Sequence, residues 1–271
     1  MLGLGMQDRA ALLRLLEWQT AMGADDAVLD APRDRMRAEV KSAERPRRAT
    51  VAAAPIAQTP APVANAPQSA MLASAKELAD AATDLTALRA AVETFDGCSL
   101  RRTATHTVFA DGNPAAPLML IGEAPGADED RVGLPFVGRS GQLLDRMLAT
   151  IGVRRSESAY ITNVLFWRPP GNRKPTPEET AICLPFVWRH IALKRPKIVV
   201  LCGGTATATL LSRSDGITRL RGRWFELLVP DLGPVPTLAT YHPSFLLRAP
   251  AHKSESWRDL LAIQNRMNST K

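Results

Sequence analysis

The apolar positions of this chain fall into two regimes. From about Ser74 onward, short continuous apolar runs alternate with longer stretches of helical period, the rhythm of βαβ units around a parallel sheet. The runs 118–121 (LMLI) and 198–202 (IVVLC) lack the polar alternation of a half-exposed strand and predict strands covered on both faces. Residues 160–164 and 236–239 predict two more. Thr176-Pro177-Glu178-Glu179 combines a capping threonine, a proline at the first helical position and a glutamate where a capping box needs it. A helix is therefore predicted from Pro177 to about Lys194, with Pro185 as the expected site of any kink. Ser140 is expected to cap another helix carrying Leu143, Leu144, Met147 and Leu148 on one side. Further helices are expected at 205–211 and 255–267. The predicted class is α/β, a three-layer α/β/α sandwich with a central, mainly parallel sheet.

Upstream, the pattern dissolves. Residues 49–70 (ATVAAAPIAQTPAPVANAPQSA) carry no charge, no aromatic residue and no sustained period, and are expected to form a disordered linker. Before it, Leu12, Leu13, Leu15, Leu16 and Trp18 have the spacing of an amphipathic helix over 6–22 that is too short to fold alone. The expected division is an N-terminal helix and linker over 1–75 and a folded domain over 76–271.

Charge adds a partner class. With 34 basic and 27 acidic residues the chain carries a formal net charge of +7, which favours a polyanion without excluding a merely soluble basic protein. No run approaches the ~18 apolar residues of a membrane span. The acidic N-terminus does not read as a secretory or transit signal, and Cys98, Cys183 and Cys202 have no disulfide spacing, so a cytoplasmic location is expected.

Open α/β sheets bind ligands beyond the carboxyl ends of their strands, so the residues just after the apolar runs are the candidate chemistry. Three segments there are unusual. Gly122-Glu123-Ala124-Pro125-Gly126-Ala127-Asp128-Glu129-Asp130 follows LMLI and leads to Pro135-Phe136-Val137-Gly138. Its carboxylates argue against a phosphate cradle, and it has neither a Walker lysine nor GxGxxG. Asn163 ends its strand ahead of Arg168-Pro169-Pro170-Gly171-Asn172-Arg173-Lys174. Its carboxamide has the donor and acceptor to read a uracil edge, and equally those to bond backbone at a strand end. Tyr241-His242-Pro243-Ser244-Phe245-Leu246-Leu247-Arg248 follows the last predicted strand; His242 is placed either to donate to a departing base or to serve the fold.

In this order the segments resemble the family 4 uracil-DNA glycosylases, which carry GE[AG]PGxxED, PFVG, TNxxxxRPPxNR and HP[SA]xLLR. The match spans about Phe95 to Trp257. The resemblance implies that Phe136 stacks on a flipped uracil, Asn163 reads its edge and His242 stabilises the uracil anion. It puts Gly122 and Ala124 beside the base, and Glu123 and Glu129 at the acidic positions beside base and attacking water. Ala124 stands where the related family 1 enzymes carry a water-activating Asp, so that carboxylate is expected to be missing. Leu246 and Leu247 resemble the apolar wedge that fills the gap in the base stack, with core packing as the other reading. Arg168, Arg173, Lys174, Ser244 and Arg248 are the candidate DNA contacts, with solvated surface charge an equally good reading of the four basic side chains.

The family's [4Fe–4S] cluster uses four cysteines, and the aligned positions here are Phe95, Cys98, Trp167 and Cys183. Two thiolates do not satisfy that ligation, so a chain without cluster, metal or other cofactor is expected, with Cys98 and Cys183 as remnant positions. The implied activity is hydrolytic, monofunctional release of uracil from DNA in base-excision repair. The alternatives are a non-catalytic DNA-damage-binding protein and a glycosylase for another deaminated base such as hypoxanthine or xanthine. A monomer is expected, with the N-terminal helix as a tethered contact for another protein or a dispensable tail.

Overall fold

The structure, a computed structural model, describes residues 66–269. All of them lie in one compact unit, Pro60–Lys271. The predicted helix at 6–22 and most of the predicted linker lie outside the described residues. Helix α1 (Ala66–Ala81) begins inside the stretch expected to be linker and crosses the expected boundary at 75/76. Alanine is the strongest helix former, and burial of Ala75 and Ala79 gives this helix the docking surface that composition does not reveal.

Six strands form one sheet: β1 (Asp111–Gly112), β2 (Leu118–Gly122), β3 (Ala159–Asn163), β4 (Ile198–Cys202), β5 (Trp224–Val229) and β6 (Gly233–Thr240). Their order is β1-β3-β2-β4-β6-β5. The four central strands are parallel, and β1 and β5 are antiparallel edges. Every residue of β2, β3 and β4 is buried, which is why those segments read as unbroken apolar runs.

Alternate side chains enter different cores. Met119, Ile121, Tyr160, Val199 and Leu201 join one cluster with Ile182, Phe186, Val187 and Ile191 of the long helix Pro177–Lys194. Leu118, Leu120, Ile161, Ile198 and Val200 join another with Leu144 and Leu148 of the helix Arg139–Ala149 and Leu260 and Ile263 of the C-terminal helix Lys253–Ser269. The three-layer sandwich is thus observed.

The remaining helices, numbered in chain order, are α2 (Leu85–Thr94), α3 (Ala127–Val132), α4 (Arg139–Ala149), α5 (Arg155–Ser158), α6 (Pro177–Lys194), α7 (Gly204–Leu211), α8 (Ile217–Leu220), α9 (Pro243–Arg248) and α10 (Lys253–Ser269). The capping box of α6 forms as predicted. Thr176 Oγ1 accepts from the Glu179 amide at 3.2 Å and Glu179 Oε2 from the Thr176 amide at 2.9 Å. Pro185 is accommodated inside the continuous helix. Ser140 is not the cap of α4: the helix starts one residue earlier, and extended Gly138 holds the cap position without a side-chain bond.

Between β3 and α6 lies a buried polar group. His190 is fully enclosed, stacks on Phe109 at 4.3 Å and meets the Tyr160 hydroxyl through Nε2 at 2.8 Å, while Nδ1 has no partner. Burial, with the nearby Arg89 and Lys194 charges, pushes its pKa down to about 3. The unfolded chain binds a proton there near pH 6.5 and the folded chain does not. Stability should therefore fall as pH drops below about 6.5, by up to about 1.4 kcal/mol per pH unit from this group until about pH 3. Urea midpoints at pH 7 and pH 5 check this: the midpoint is lower at pH 5, and the drop shrinks in His190→Phe.

Candidate active site

The chain direction reverses its progress across the sheet at β2, which lies between β3 and β4, and that switch point opens a crevice at the carboxyl ends. A cavity of about 760 Å³ occupies it. Glu123 follows β2, Asn163 ends β3, Gly203, Gly204 and Thr205 follow β4, and His242 follows β6. All of them line the cavity with Ala124, Phe136, Ser244 and Arg248. The three segments singled out in the sequence are therefore brought together. The Gly203–Thr205 wall was not anticipated, although it also follows an apolar run and the same strand-end rule could have found it.

Asn163 pairs in register with Gly122 on β2, and the backbone ladder continues past both strands, with Val164 N–H donating to Gly122 O at 2.9 Å and Leu165 N–H to Glu123 O at 3.0 Å. The Asn163 side chain is buried, yet neither Oδ1 nor Nδ2 has a hydrogen-bond partner. The alternative in which Asn163 bonds local backbone is thereby set aside. Gly122 lets this carboxamide meet the Phe136 ring: a Cβ there would lie 2.4 Å from Asn163 Oδ1 and 2.6 Å from Phe136 Cζ.

The Phe136 ring in turn lies 5.3 Å from that of His242, at 29°. His242 caps α9, and its Nδ1 accepts the Ser244 backbone N–H at 3.1 Å, with Ser244 Oγ at 2.8 Å. A backbone N–H only donates, so Nδ1 is unprotonated and the ring proton sits on Nε2. Burial, helped by the Arg248 charge, pushes the imidazolium pKa down to about 4, so the ring is neutral near pH 7. Gly203, at φ = 97°, passes beneath it, where a Cβ would lie 2.9 Å from His242 Cβ.

The acidic cluster divides. Glu123 is half-buried in the cavity wall. Glu129 Oε1 accepts from Val137 N–H and Gly138 N–H, both at 2.9 Å, and Oε2 accepts from Gly126 N–H at 3.1 Å. Asp130 accepts from Thr105 N–H at 2.8 Å and His106 N–H at 3.2 Å. Two of these carboxylates therefore spend most of their acceptor capacity on loops, although Glu129 still lines the cavity beside Glu123.

Residues 109–261, more than half of the chain, match the profile of the Uracil DNA glycosylase superfamily. A type-4 uracil-DNA glycosylase of Archaeoglobus fulgidus is 42% identical over 171 residues, covering 61% of this chain and 84% of the relative. Type-4 enzymes of Pyrobaculum aerophilum and Thermotoga maritima are 35% identical over 181 residues (65% and 91% covered) and 40% identical over 158 residues (58% and 80% covered).

The chain belongs to the uracil-DNA glycosylase superfamily.

For a uracil-DNA glycosylase, the remaining candidate residues sort by exposure. Leu246 is fully buried against Leu143 and Tyr241, which is the core-packing reading, whereas Leu247 beside it is 37% exposed. Arg173 makes a two-pronged ion pair with Glu179, Nη1–Oε2 2.9 Å and Nη2–Oε1 2.6 Å, which ties the 168–174 loop to the α6 cap. That guanidinium holds the Glu179 carboxyl below its ordinary pKa. Arg168 bonds Asn172 Oδ1 at 2.7 Å, and Lys174 and Arg248 are exposed at the cavity rim.

The type-4 resemblance implies an iron–sulfur cluster, and the residues at its four positions do not fit one. Phe95, Cys98, Trp167 and Cys183 are all buried in the same apolar core. Phe95 packs edge-on against Phe186 at 5.2 Å, and Trp167 Nε1 donates to Thr107 Oγ1 at 3.0 Å. The Cys183 thiol donates a hydrogen bond to Cys98, and this bond, together with burial, raises the Cys183 pKa well above its ordinary value while lowering that of Cys98, so one thiol of the pair is held protonated where ligation needs both as thiolates. Among the described residues, no group of three or more His, Cys, Asp or Glu is placed to hold a metal ion.

The locked imidazole is directly observable. In ¹⁵N-resolved NMR spectra of His242 we expect the neutral Nε2–H tautomer at pH 6, with protonation only near pH 4. A titration midpoint above 6 would contradict the hydrogen-bond assignment.

Proposed function

We propose that this protein hydrolyses the N-glycosidic bond of deoxyuridine in DNA, releasing uracil and leaving an abasic site. The unpartnered Asn163 carboxamide carries the reading. Leaving a buried amide unsatisfied costs about 1–3 kcal/mol, a cost that a ligand with matching polarity recovers. Uracil supplies an N3–H for Oδ1 and an O4 for Nδ2 in the orientation the amide has here, and cytosine would match the same amide only if it turned over and exchanged its two poles.

The target nucleotide has to leave the duplex to reach the cavity. Its base stacks on Phe136 with its edge against Asn163, and the neutral His242 offers Nε2–H to O2. As the C1′–N1 bond lengthens, its electron pair moves into the uracil ring and negative charge collects on O2, where a preorganised donor contributes most. Water then adds to C1′ and loses a proton to solvent by way of the carboxylate that orients it, and the uracil anion takes up a proton from solvent at N1 on release. Glu123 and Glu129 both line the cavity, and Glu123 is the freer of the two to orient that water, because three amides already occupy most of the acceptor capacity of Glu129. Leu247 is the residue with free apolar surface to fill the vacated stack, and Arg168, Lys174 and Arg248 supply the phosphate-facing charge. No step passes through a metal, and we read the aromatic side chains at positions 95 and 167 as replacing the cluster's packing volume.

Uracil release from a labelled oligonucleotide tests the reading: Asn163→Ala and His242→Ala should each lower kcat/KM by about 100-fold or more. No uracil release by the unaltered protein, with salt-sensitive DNA binding retained, would point to a damage-binding protein instead. Leu247→Ala should weaken excision from duplex more than from single strands, whereas Leu246→Ala should mainly destabilise the fold, by about 2–5 kcal/mol.

Iron content tests the cluster reading separately. Anaerobically purified protein should contain far less than stoichiometric iron and no broad visible absorbance; four irons per chain would overturn it.

A further inference from the structure

We infer that Arg155 is a positioning residue for uracil excision: with Glu129, it grips the peptide unit following Phe136 and thereby sets the plane on which the base stacks. The inference rests on the proposed activity for its meaning and on separate geometry for its support.

Phe136 has φ = 54°, in the left-handed region. A side chain with a Cβ pays roughly 1–2 kcal/mol to stay there, so the surroundings must hold it. The carbonyl of Phe136 accepts from Arg155 Nη2 at 2.6 Å, and that of Pro135 from Nη1 at 2.8 Å. At the other pole of the same peptide unit, Val137 N–H donates to Glu129 Oε1 at 2.9 Å. A cation thus holds the oxygen and an anion the nitrogen, in line with the peptide dipole. Gly141 of α4 completes the seat, since a Cβ there would lie 1.8 Å from the Phe136 oxygen.

Arg155 is itself fixed. Its side chain is 17% exposed; Nη1 also donates to Asp111 Oδ2 at 2.9 Å and Nε to Asp145 Oδ1 at 3.0 Å. Four acceptors arranged around one planar fork suit a guanidinium, and the three donors of a lysine on a single nitrogen cannot reproduce that fork. Arg155 lies outside the cavity lining and acts only through the Phe136 backbone. If that peptide relaxes toward the extended region, the ring leaves its place over Gly122, and stacking is lost without any change in the polar groups that face the base.

The test is a double-substitution cycle read as kcat/KM for uracil release, with amide exchange beside it. Arg155→Met and Arg155→Lys should each reduce kcat/KM by about 10- to 100-fold in the native background. In a Phe136→Ala background the same changes should cost less than about 3-fold, because the ring they position is gone. Equal losses in both backgrounds, or near-native activity of Arg155→Lys and Arg155→Met, would overturn the inference. Where Arg155→Met does not fold, Arg155→Lys carries the cycle. Faster exchange of the Val137 and Gly138 amides in Arg155→Lys, with the β2 and β4 amides unchanged, is expected irrespective of turnover. If the unaltered protein releases no uracil, the functional reading fails, and unchanged Val137 exchange would separately sink the positioning role.

Discussion

An amide whose two poles are both unsatisfied inside a protein is a liability, and the architecture around Asn163 is organised by it. Such a group must be held away from every internal donor and acceptor that would quench it, yet kept still enough to recognise a partner. β3 supplies the stillness: it is hydrogen-bonded to β1 and β2, buried along its whole length, and extended by two further backbone bonds beyond its end. The bare Cα of Gly122 supplies the space, and the Phe136 ring that enters this space covers the amide with a surface that cannot hydrogen-bond to it in the plane.

The motif charges follow a division of labour. Glu129, Asp130, Glu179 and Arg173 tie loops and caps together, and since Glu129 and Arg173 also line the cavity, part of its wall belongs to that rigid frame. Arg221, paired with Asp259 and hydrogen-bonded to the Glu255 carbonyl, joins the end of α8 to α10 in the same way. Of the charged side chains that line the cavity, Glu123, Lys174 and Arg248 take no part in these ties.

The sequence made the central layer legible because parallel strands buried on both faces leave a signature that nothing else in the chain imitates. β4 was read residue for residue, and α6 was announced by its capping box. β5 was not read: its exposure alternates, with Glu226 and Leu228 outward, and so it lacks the continuous run that marks its neighbours. The cavity residues Glu123, Asn163 and His242 were legible as strand-end residues and were sharpened by motif resemblance. What sequence does not carry is the orientation of neighbouring side chains. Leu246 and Leu247 are indistinguishable by type, and only the turn of α9 buries one and exposes the other. Arg155 sits in no motif, and its role arises from a path back across the sheet edge that spacing does not encode. The helix Ala66–Ala81 was hidden for a different reason, since its composition alone describes either a coil or a docked helix.

The proton on His242 is placed by a backbone amide and not by solvent. A side chain that stabilises charge by pointing a fixed proton at it, without surrendering that proton, ends each cycle in the state in which it began. In the proposed reaction the imidazole therefore needs no recharging step and passes through no refractory form.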